Sequence, residues 1–500
     1  MFRDWNEGST PVTSNSAEVL KDFRGWLDDA VDVGYNIVEL SAPWYDLSPL
    51  PGVYQFQYLD KLIALAEQRG LKVTLRIHPM IRQVPGYVPR ELMTDQAGFT
   101  HGLWGGSDNQ LFSPASESYR KLSNEYISTV AAHYRNNPTV LGYTIESLFF
   151  DHDMIDMPWL GQSVDYSQTM RRGFIAWLKD KYASMTKLNE VYDSSFVHWE
   201  QIQLPEVRVA LDDDGRPMPH NTPAIKDWLD YKILAITQLR TGWLKAARNA
   251  DPAAFLGMYN TGTTEFYLDT VKALDGVITY GSMEAQYPRE TRPGQPGRFE
   301  PHAKIARTAM LVDVGLTNML MIDQPGMHGL FNYWKPEWRV ADQPAPVKEA
   351  ESRLKVWFGF MDQITKAKPL QSHEALHGAY LMCDETLLYE HGNLFYDRIH
   401  DYLKPFGHHV SASDMRADAL HAKDVNLAMI KGRPWVYVPY SSDLLATDVV
   451  DALTAYVQQG GTLIMEAGSG KWSLQSHDAD VLSSRMGLGK WQSRKVEKDS

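Results

Sequence analysis

From residue 17 to residue 370 the chain alternates amphipathic helical patterns with short apolar runs, and this rhythm limits the possible fold more than any other feature. "AEVLKDFRGWLDDAVDVG" has the apolar spacing of a helix and stops at Gly34, and "YNIVELSAPW" reads as a strand that leaves Trp44 at its C-terminal end. "YLDKLIALAEQRG" is helical again, closed by Gly70, before the strand "LKVTLRIHP". "YRKLSNEYISTVAAHYRNNP" then leads into the strand "TVLGYTIE". Strand and helix in this order imply a parallel sheet with right-handed crossovers.

Long helices near 165–183 and 223–249 precede the strand "AAFLGMYN", which is followed by "LDGVITYGSME", the helical "EPHAKIARTAMLVDVG" and the strand "LTNMLMID". The helix "VKEAESRLKVWFGFMDQITK" ends this part. So many βα repeats over residues 1–370 predict a (β/α)8 TIM barrel, with a first strand near "FRDWNEG". "AKPLQSHEA" is a linker. After it "LHGAYLMC", "VNLAMI", "PWVYVPY" and "TLIMEAG" read as strands and "TDVVDALTAYVQQGG" as a helix, a second α/β unit over 375–480. Residues 481–500 are a polar tail or the start of a further segment.

A chain of 500 residues exceeds what one core usually supports, so two units are expected. No apolar run is long enough to span a membrane. A net charge of -13 without a basic block excludes nucleic acid as a partner. Cys383 is the single cysteine, which leaves no intrachain disulfide and no Cys-rich zinc site. The start "MFRDWNEGST" lacks a basic region followed by an apolar one, so a cytoplasmic location is expected.

In a β/α barrel the reactive groups sit at the C-terminal ends of the strands. The polar residues closing the apolar runs are Glu39 and Trp44, Arg76 and His78, Glu146, Tyr259 and Asn260, Tyr280 and Glu284, and Asp323. Acids, aromatics and amides on one rim suit a carbohydrate, whose C–H faces pack on flat rings while its hydroxyls are held by carboxylates and amides. Aromatic residues make up 11% of the chain, which fits such a site but equally fits an aromatic-rich core. Retaining glycoside hydrolysis needs two carboxylates roughly 5–5.5 Å apart, and they must come from different strands. Glu146 and Glu284 meet that requirement, with Asp323 as the alternative nucleophile; a lone acid at a strand end is otherwise a solvated rim residue. His78 reads as a hydroxyl-binding residue or a satisfied buried histidine. "DHD" at 151–153 is not completed into a metal site elsewhere, no GxSxG elbow occurs, and "GGTLIMEAGSG" does not complete the phosphate-loop pattern, since no hydroxyl residue directly follows its glycines and Lys471. No cofactor is expected.

Several stretches resemble the glycoside hydrolase family 42 β-galactosidases and their relatives. One runs through Trp44, Gly52, Tyr54, Phe56, Leu59 and Asp60. Others are "LFSPASESYRK", "HYRNNPTVLGY", and a segment through Phe174, Trp177, Leu178, Tyr182, Leu188, Asn189 and Trp199. "YVPYSSDLLATDVVDALTAYVQQGGTLIMEAGSG" looks like that family's flavodoxin-like, Rossmann-like trimerisation domain, which implies a homotrimer. The resemblance implies an exo-acting retaining β-glycosidase acting on an oligosaccharide, with Glu146 as acid/base and Glu284 as nucleophile. Trp44 and Trp334 would pack on the sugar, with Arg76, His78, Tyr259, Asn260 and Tyr280 positioning it.

The chain departs from the family in two places. Where the family reads like "G-W-Q-I-D-N-E" this chain has "G-Y-T-I-E-S-L". A gapless reading puts Leu148 at the acid, and Glu146 serves if the strand is two residues shorter, which preserves its facing. The family's Arg-rich stretch before "SP" is also missing here, where the chain has "GGSDNQLF". Both changes affect contacts to sugar hydroxyls, so mannose stands beside galactose as the sugar. A barrel that binds carbohydrate without cleaving it and an endo-acting polysaccharide hydrolase are the competing readings.

Overall fold

The computed structural model describes residues 23–79 (without 26, 29 and 33), 84–100, 111–146, 165–206 and 222–259. It also describes 210–211, 217–218, 278–280 and 319–321, helical positions 355, 356, 359, 363 and 366, and, towards the C-terminus, 378–382, 417–422, 425–439, 442, 444–473 and 480–490. The strand expected near "FRDWNEG" lies outside these residues.

Helical residues between 23 and 32 come first. Phe23, Leu27 and Ala30 form one buried stripe at helical spacing. Gly34 stops the helix at φ 107°, with Tyr35 N–H returning to the Ala30 carbonyl at 3.0 Å, a backbone geometry that glycine adopts without a Cβ penalty. The βα units then follow as β1 (Ile37–Pro43), α1 (Trp44–Leu47), α2 (Gln57–Glu67), β2 (Lys72–His78), α3 (Glu117–Tyr134) and β3 (Val140–Glu146). Ser116 caps α3 by accepting the Tyr119 N–H at 3.1 Å. Beyond β3 lie α4 (Gln168–Tyr182), capped in the same way by Ser167, and α5 (Met185–Tyr192). A small antiparallel ribbon of β4 (Ala210–Leu211) and β5 (Pro217–Met218) leads to α6 (Pro223–Ala250), which has proline in its first turn. β6 (Phe255–Tyr259), β7 (Ile278–Tyr280) and β8 (Met319–Met321) complete this part.

Six of these strands form one sheet in the order β7-β6-β3-β2-β1-β8, and every pairing in it is parallel. Among the described strands of this sheet the latest in the chain, β8, lies beside the earliest, β1, as it must when a barrel closes; a doubly wound open sheet would reverse its strand order in the middle instead. Register fixes which residues share a face. Val38, Leu40, Ala42, Val73, Leu75, Ile77, Tyr143 and Ile145 form the alternate set that packs against Leu59, Leu62 and Ile63 of α2, Ile127 and Val130 of α3, and Leu239, Trp243 and Leu244 of α6. Each large aliphatic residue so buried contributes about 1.5–3 kcal/mol. The opposite set, Glu39, Ser41, Thr74, Arg76, His78 and Thr144, is polar and faces the barrel interior.

A second parallel sheet, ordered β10-β9-β11-β13, is formed by β9 (Gly378–Met382), β10 (Ala417–His421), β11 (Val436–Val438) and β13 (Leu463–Met465). Its apolar cluster joins Leu381, Val436 and Val438 to Val449, Leu453 and Tyr456 of α8 (Thr447–Gln458). β12 (Leu444–Leu445) pairs with β14 (Trp472–Ser473), and α9 (Val481–Arg485) follows. The strand expected at "VNLAMI" is instead α7 (Leu427–Ile430). Asn426 Oδ1 accepts the N–H groups of Ala428 and Met429 and so starts a helical turn, which Leu, Ala and Met favour over an extended run.

Candidate active site

The C-terminal rim of the sheet is built by register. Tyr280 pairs with Tyr259, and Tyr259 pairs with Glu146. Ile145 pairs with Ile77, so Glu146 stands level with His78, and His78 pairs with Pro43. Five consecutive strands therefore end in one row: Tyr280, Tyr259, Glu146, His78 and Pro43. Two residues below it, Ile278, Gly257, Thr144, Arg76 and Ser41 form a second row, and Phe255, Gly142, Thr74 and Glu39 a third.

The facing of these rows follows from one hydrogen bond. Thr144 Oγ1 donates to Glu39 Oε2 at 2.7 Å, although β3 and β1 are separated by β2 and do not pair. Two side chains can meet past an intervening strand only on the concave side of a curved sheet, so both point into the barrel. Glu146, two residues beyond Thr144, belongs to the same alternating set. Glu39, Thr74, Arg76 and Thr144 are all fully buried, and His78 nearly so. Such a charged interior costs desolvation unless its groups partner one another, and barrels commonly fill these layers with branched apolar residues instead.

Trp44, expected on the sugar, lies in the core. It is 0% exposed, its ring stacks on Tyr126 at 5.2 Å between centroids, and its indole N–H donates to the Tyr87 hydroxyl at 3.1 Å. The reason is local: α1 turns the chain back immediately after Pro43 and tucks the indole against α3. Arg76 sits one row beneath the rim. Asn260, Glu284, Asp323 and Trp334 lie outside the described residues, as does "DHD" at 151–153. Among the described residues no group of three or more His, Cys, Asp and Glu is arranged to hold a metal.

The connection after β2 is anchored beside this rim. Glu91 accepts from Ser116 Oγ at 2.6 Å, Ser118 Oγ at 2.9 Å, Thr169 Oγ1 at 3.2 Å and Arg172 at 3.1 Å, which ties it to the starts of α3 and α4. The Ser116 hydroxyl is the largest of the influences that hold its carboxyl below the ordinary glutamate range. Asp165, just before α4, accepts the N–H groups of Ser167 at 2.8 Å and Thr94 at 3.3 Å, and burial pushes its carboxyl up. Sequence reading passed over Thr74 and Thr144, although the alternation in "VTLRIH" and "YTIE" carries them; it also passed over Tyr87, Glu91 and Asp165, which no spacing marks.

A parallel β/α barrel with Glu146, His78, Tyr259 and Tyr280 at the ends of four adjacent strands has the rim composition of a β/α-barrel glycosidase. Within that class the chain belongs to glycoside hydrolase family 42: the sequence model of that family, described as beta-galactosidase, matches residues 17–277, more than half of the chain. The matched stretch includes Glu146 and ends before Glu284 and Asp323. Beta-galactosidase LacZ of Heyndrickxia coagulans is 23% identical over 224 residues, 42% of this chain and 30% of that protein. The beta-galactosidase of Thermus thermophilus is 27% identical over 229 residues, 43% of this chain and 32% of that one. The chain thus spans about a third of the length of the curated relatives it matches. The crystal structure of a cold-adapted beta-galactosidase from a Rahnella species superposes with a TM-score of 0.67 at 15% identity, covering 93% of this chain and 72% of that chain, a likeness of fold.

Proposed function

We propose that the protein is a retaining, exo-acting β-glycosidase that removes a terminal β-linked hexose from an oligosaccharide. The observation that carries this reading is the position of Glu146 at the end of β3, level with His78 and Tyr259 on the barrel rim, within the stretch that matches the family. Glu146 is the acid/base and Glu284 the nucleophile, with Asp323 the alternative. In the first step the nucleophilic carboxylate attacks the anomeric carbon while Glu146 gives its proton to the departing glycosidic oxygen. In the second Glu146 takes a proton from water, whose oxygen displaces the carboxylate and restores the starting configuration.

Galactose is the favoured sugar because the matched relatives are named beta-galactosidases. Mannose is kept beside it because "T-I-E-S-L" replaces the family's Asn-Glu pair. We further propose that residues 1–370 form the catalytic barrel and that 375–480 form a flavodoxin-like unit through which three copies associate. On this reading the enzyme works in the cytoplasm; among the described residues no helix is long and apolar enough to cross a membrane.

Hydrolysis of nitrophenyl β-galactoside and β-mannoside by wild type, Glu146→Ala, Glu284→Ala and Asp323→Ala, with and without azide, tests the reading. Azide is expected to rescue Glu146→Ala with a β-glycosyl azide and Glu284→Ala with the α-azide. Two fully active Glu variants beside an inactive Asp323→Ala would move the nucleophile and refute the assignment of Glu146. A wild type that hydrolyses neither substrate leaves the non-catalytic carbohydrate binder as the better account.

A further inference from the structure

We propose that Glu39 is a positioning residue for the carboxylate at 146, holding the end of β3 through Thr144 and placing a negative charge beneath the acid. This rests on the reading of Glu146 given above. Glu39 sits in the third row of the barrel interior and Glu146 in the first, on the same face, with Thr144 between them in the second. The 2.7 Å hydrogen bond fixes the Thr144 side chain, and with it the strand two residues before the acid. A β-strand rises about 3.3 Å per residue, so Thr144, which the Glu39 carboxylate holds, stands about 7 Å along β3 from position 146.

The charge matters as much as the tether. An acid/base must keep its proton until the leaving oxygen takes it, and a nearby negative charge favours the protonated form. Among the described residues the other titratable groups on this interior are Arg76 and His78 of β2 and, by register, the tyrosines at 259 and 280 of β6 and β7, while Met319 and Met321 of β8 carry none; the proposed nucleophile, Glu284 or Asp323, adds a carboxylate that is the same in wild type and in Glu39→Gln. Arg76 is the diagonal neighbour of Glu39 across β1 and β2 and is the cation nearest to it by register. Neutralising Glu39 removes a negative charge and leaves the Arg76 charge acting alone, and both changes make the acid at 146 lose its proton more easily.

The test is the pH profile of kcat/KM on the nitrophenyl glycoside for wild type and Glu39→Gln, whose shape is conserved, with circular dichroism to confirm folding. The alkaline limb is expected to move down by about one pH unit. A limb that superimposes on that of wild type overturns the proposal. Thr144→Val and Thr144→Ser test the tether separately and serve if Glu39→Gln does not fold. Valine is expected to lower kcat about tenfold with KM within about twofold, and serine to restore it. Equal kcat for valine and serine overturns the tether. Glu146→Ala is measured alongside. If it stays active, the reading of the site fails and this inference with it; if it is inactive while the Glu39→Gln limb does not move, the role of Glu39 alone is refuted.

Discussion

The indole N–H of Trp44 donates to the hydroxyl of Tyr87 at 3.1 Å, and that same hydroxyl lies 3.0 Å from Ser48 Oγ. One tyrosine from the connection after β2 thus latches the turn after β1, while Tyr126 of α3 covers the indole ring. Trp44→Ala is therefore expected to cost about 3–5 kcal/mol, read from the denaturant midpoint, because it empties a filled aromatic site. Tyr87→Phe should cost about 1 kcal/mol, the net worth of a hydrogen bond. KM per folded molecule should stay within about twofold in both. A large rise in KM for Trp44→Ala at unchanged stability would return the indole to the sugar.

Asp165 gives a prediction with a definite pH sign. Burial raises its folded pKa above the unfolded value, so the folded state binds this proton more tightly and stability falls as pH rises from the ordinary aspartate range through the raised folded value. Asp165→Asn keeps an oxygen for the Ser167 and Thr94 N–H groups without the buried charge. Its stability relative to wild type should accordingly be greater at pH 8 than at pH 4, measured by urea unfolding at both. Asp165→Ala, which leaves two N–H groups without this acceptor, should lose about 2 kcal/mol at either pH. An asparagine variant that gains nothing at pH 8 would contradict the assigned cause.

Glu91 has the opposite sign. Its folded pKa is depressed, chiefly by the Ser116 hydroxyl, so its contribution is present above the ordinary glutamate value and is lost as pH falls through the folded one. Proteolysis or hydrogen exchange of residues 84–100 should increase below about pH 4 in wild type, while Glu91→Gln shows the loosened behaviour already at pH 7. Exchange in the variant that matches wild type at neutral pH would show that Ser116, Ser118, Thr169 and Arg172 are not holding the loop through this carboxylate.

Much of this arrangement was legible in the sequence. Gly34 and Gly70 mark helix ends because positive φ is a local demand, and the parity of "VTLRIH" and "YTIE" already separates the interior polar set from the apolar set facing the helices. Glu146 stood out in the sequence as an acid closing an apolar run; that it also continues the polar parity of Thr144 is visible only once the register is known. Trp44 was not legible. A tryptophan at a strand end reads the same whether it faces a cleft or turns back into the core, and only the long-range partners Tyr87 and Tyr126 decide between them. "VNLAMI" has the apolar content of a strand, and one asparagine cap makes it a helix.

A single buried carboxylate unites the helical layer that follows β3. Asp227 of α6 accepts from Lys181 Nζ at 2.6 Å, from the Tyr182 hydroxyl at 2.7 Å and from the Tyr192 hydroxyl at 2.9 Å, and so joins α4, α5 and α6. Asp227→Ala abandons all three donors and should cost about 3 kcal/mol in thermal or denaturant unfolding. Lys181→Met should cost about 1 kcal/mol or less, because that ammonium is partly solvated. Equal losses would mean that the ion pair, rather than the tyrosine hydroxyls, carries the clamp.

Gly142 links packing to the rim. It lies in β3 four residues before Glu146 and against β6, where an added Cβ would stand 1.9 Å from the Phe255 carbonyl oxygen. No side-chain rearrangement relieves a clash with backbone, so Gly142→Ala must push β3 and β6 apart or shift their register. That pairing is what sets Glu146 level with Tyr259. A displacement of about 1 Å at a reacting group commonly costs about a hundredfold in rate, so the variant is expected to lose activity out of proportion to stability. The overpacking itself is worth about 1–3 kcal/mol, which leaves a folded population to assay. The check is kcat of the folded fraction on a nitrophenyl β-glycoside: a fall of about a hundredfold with KM little changed fits displacement of the acid proposed at 146. An alanine variant of wild-type kcat would show that the end of β3 is held independently of β6.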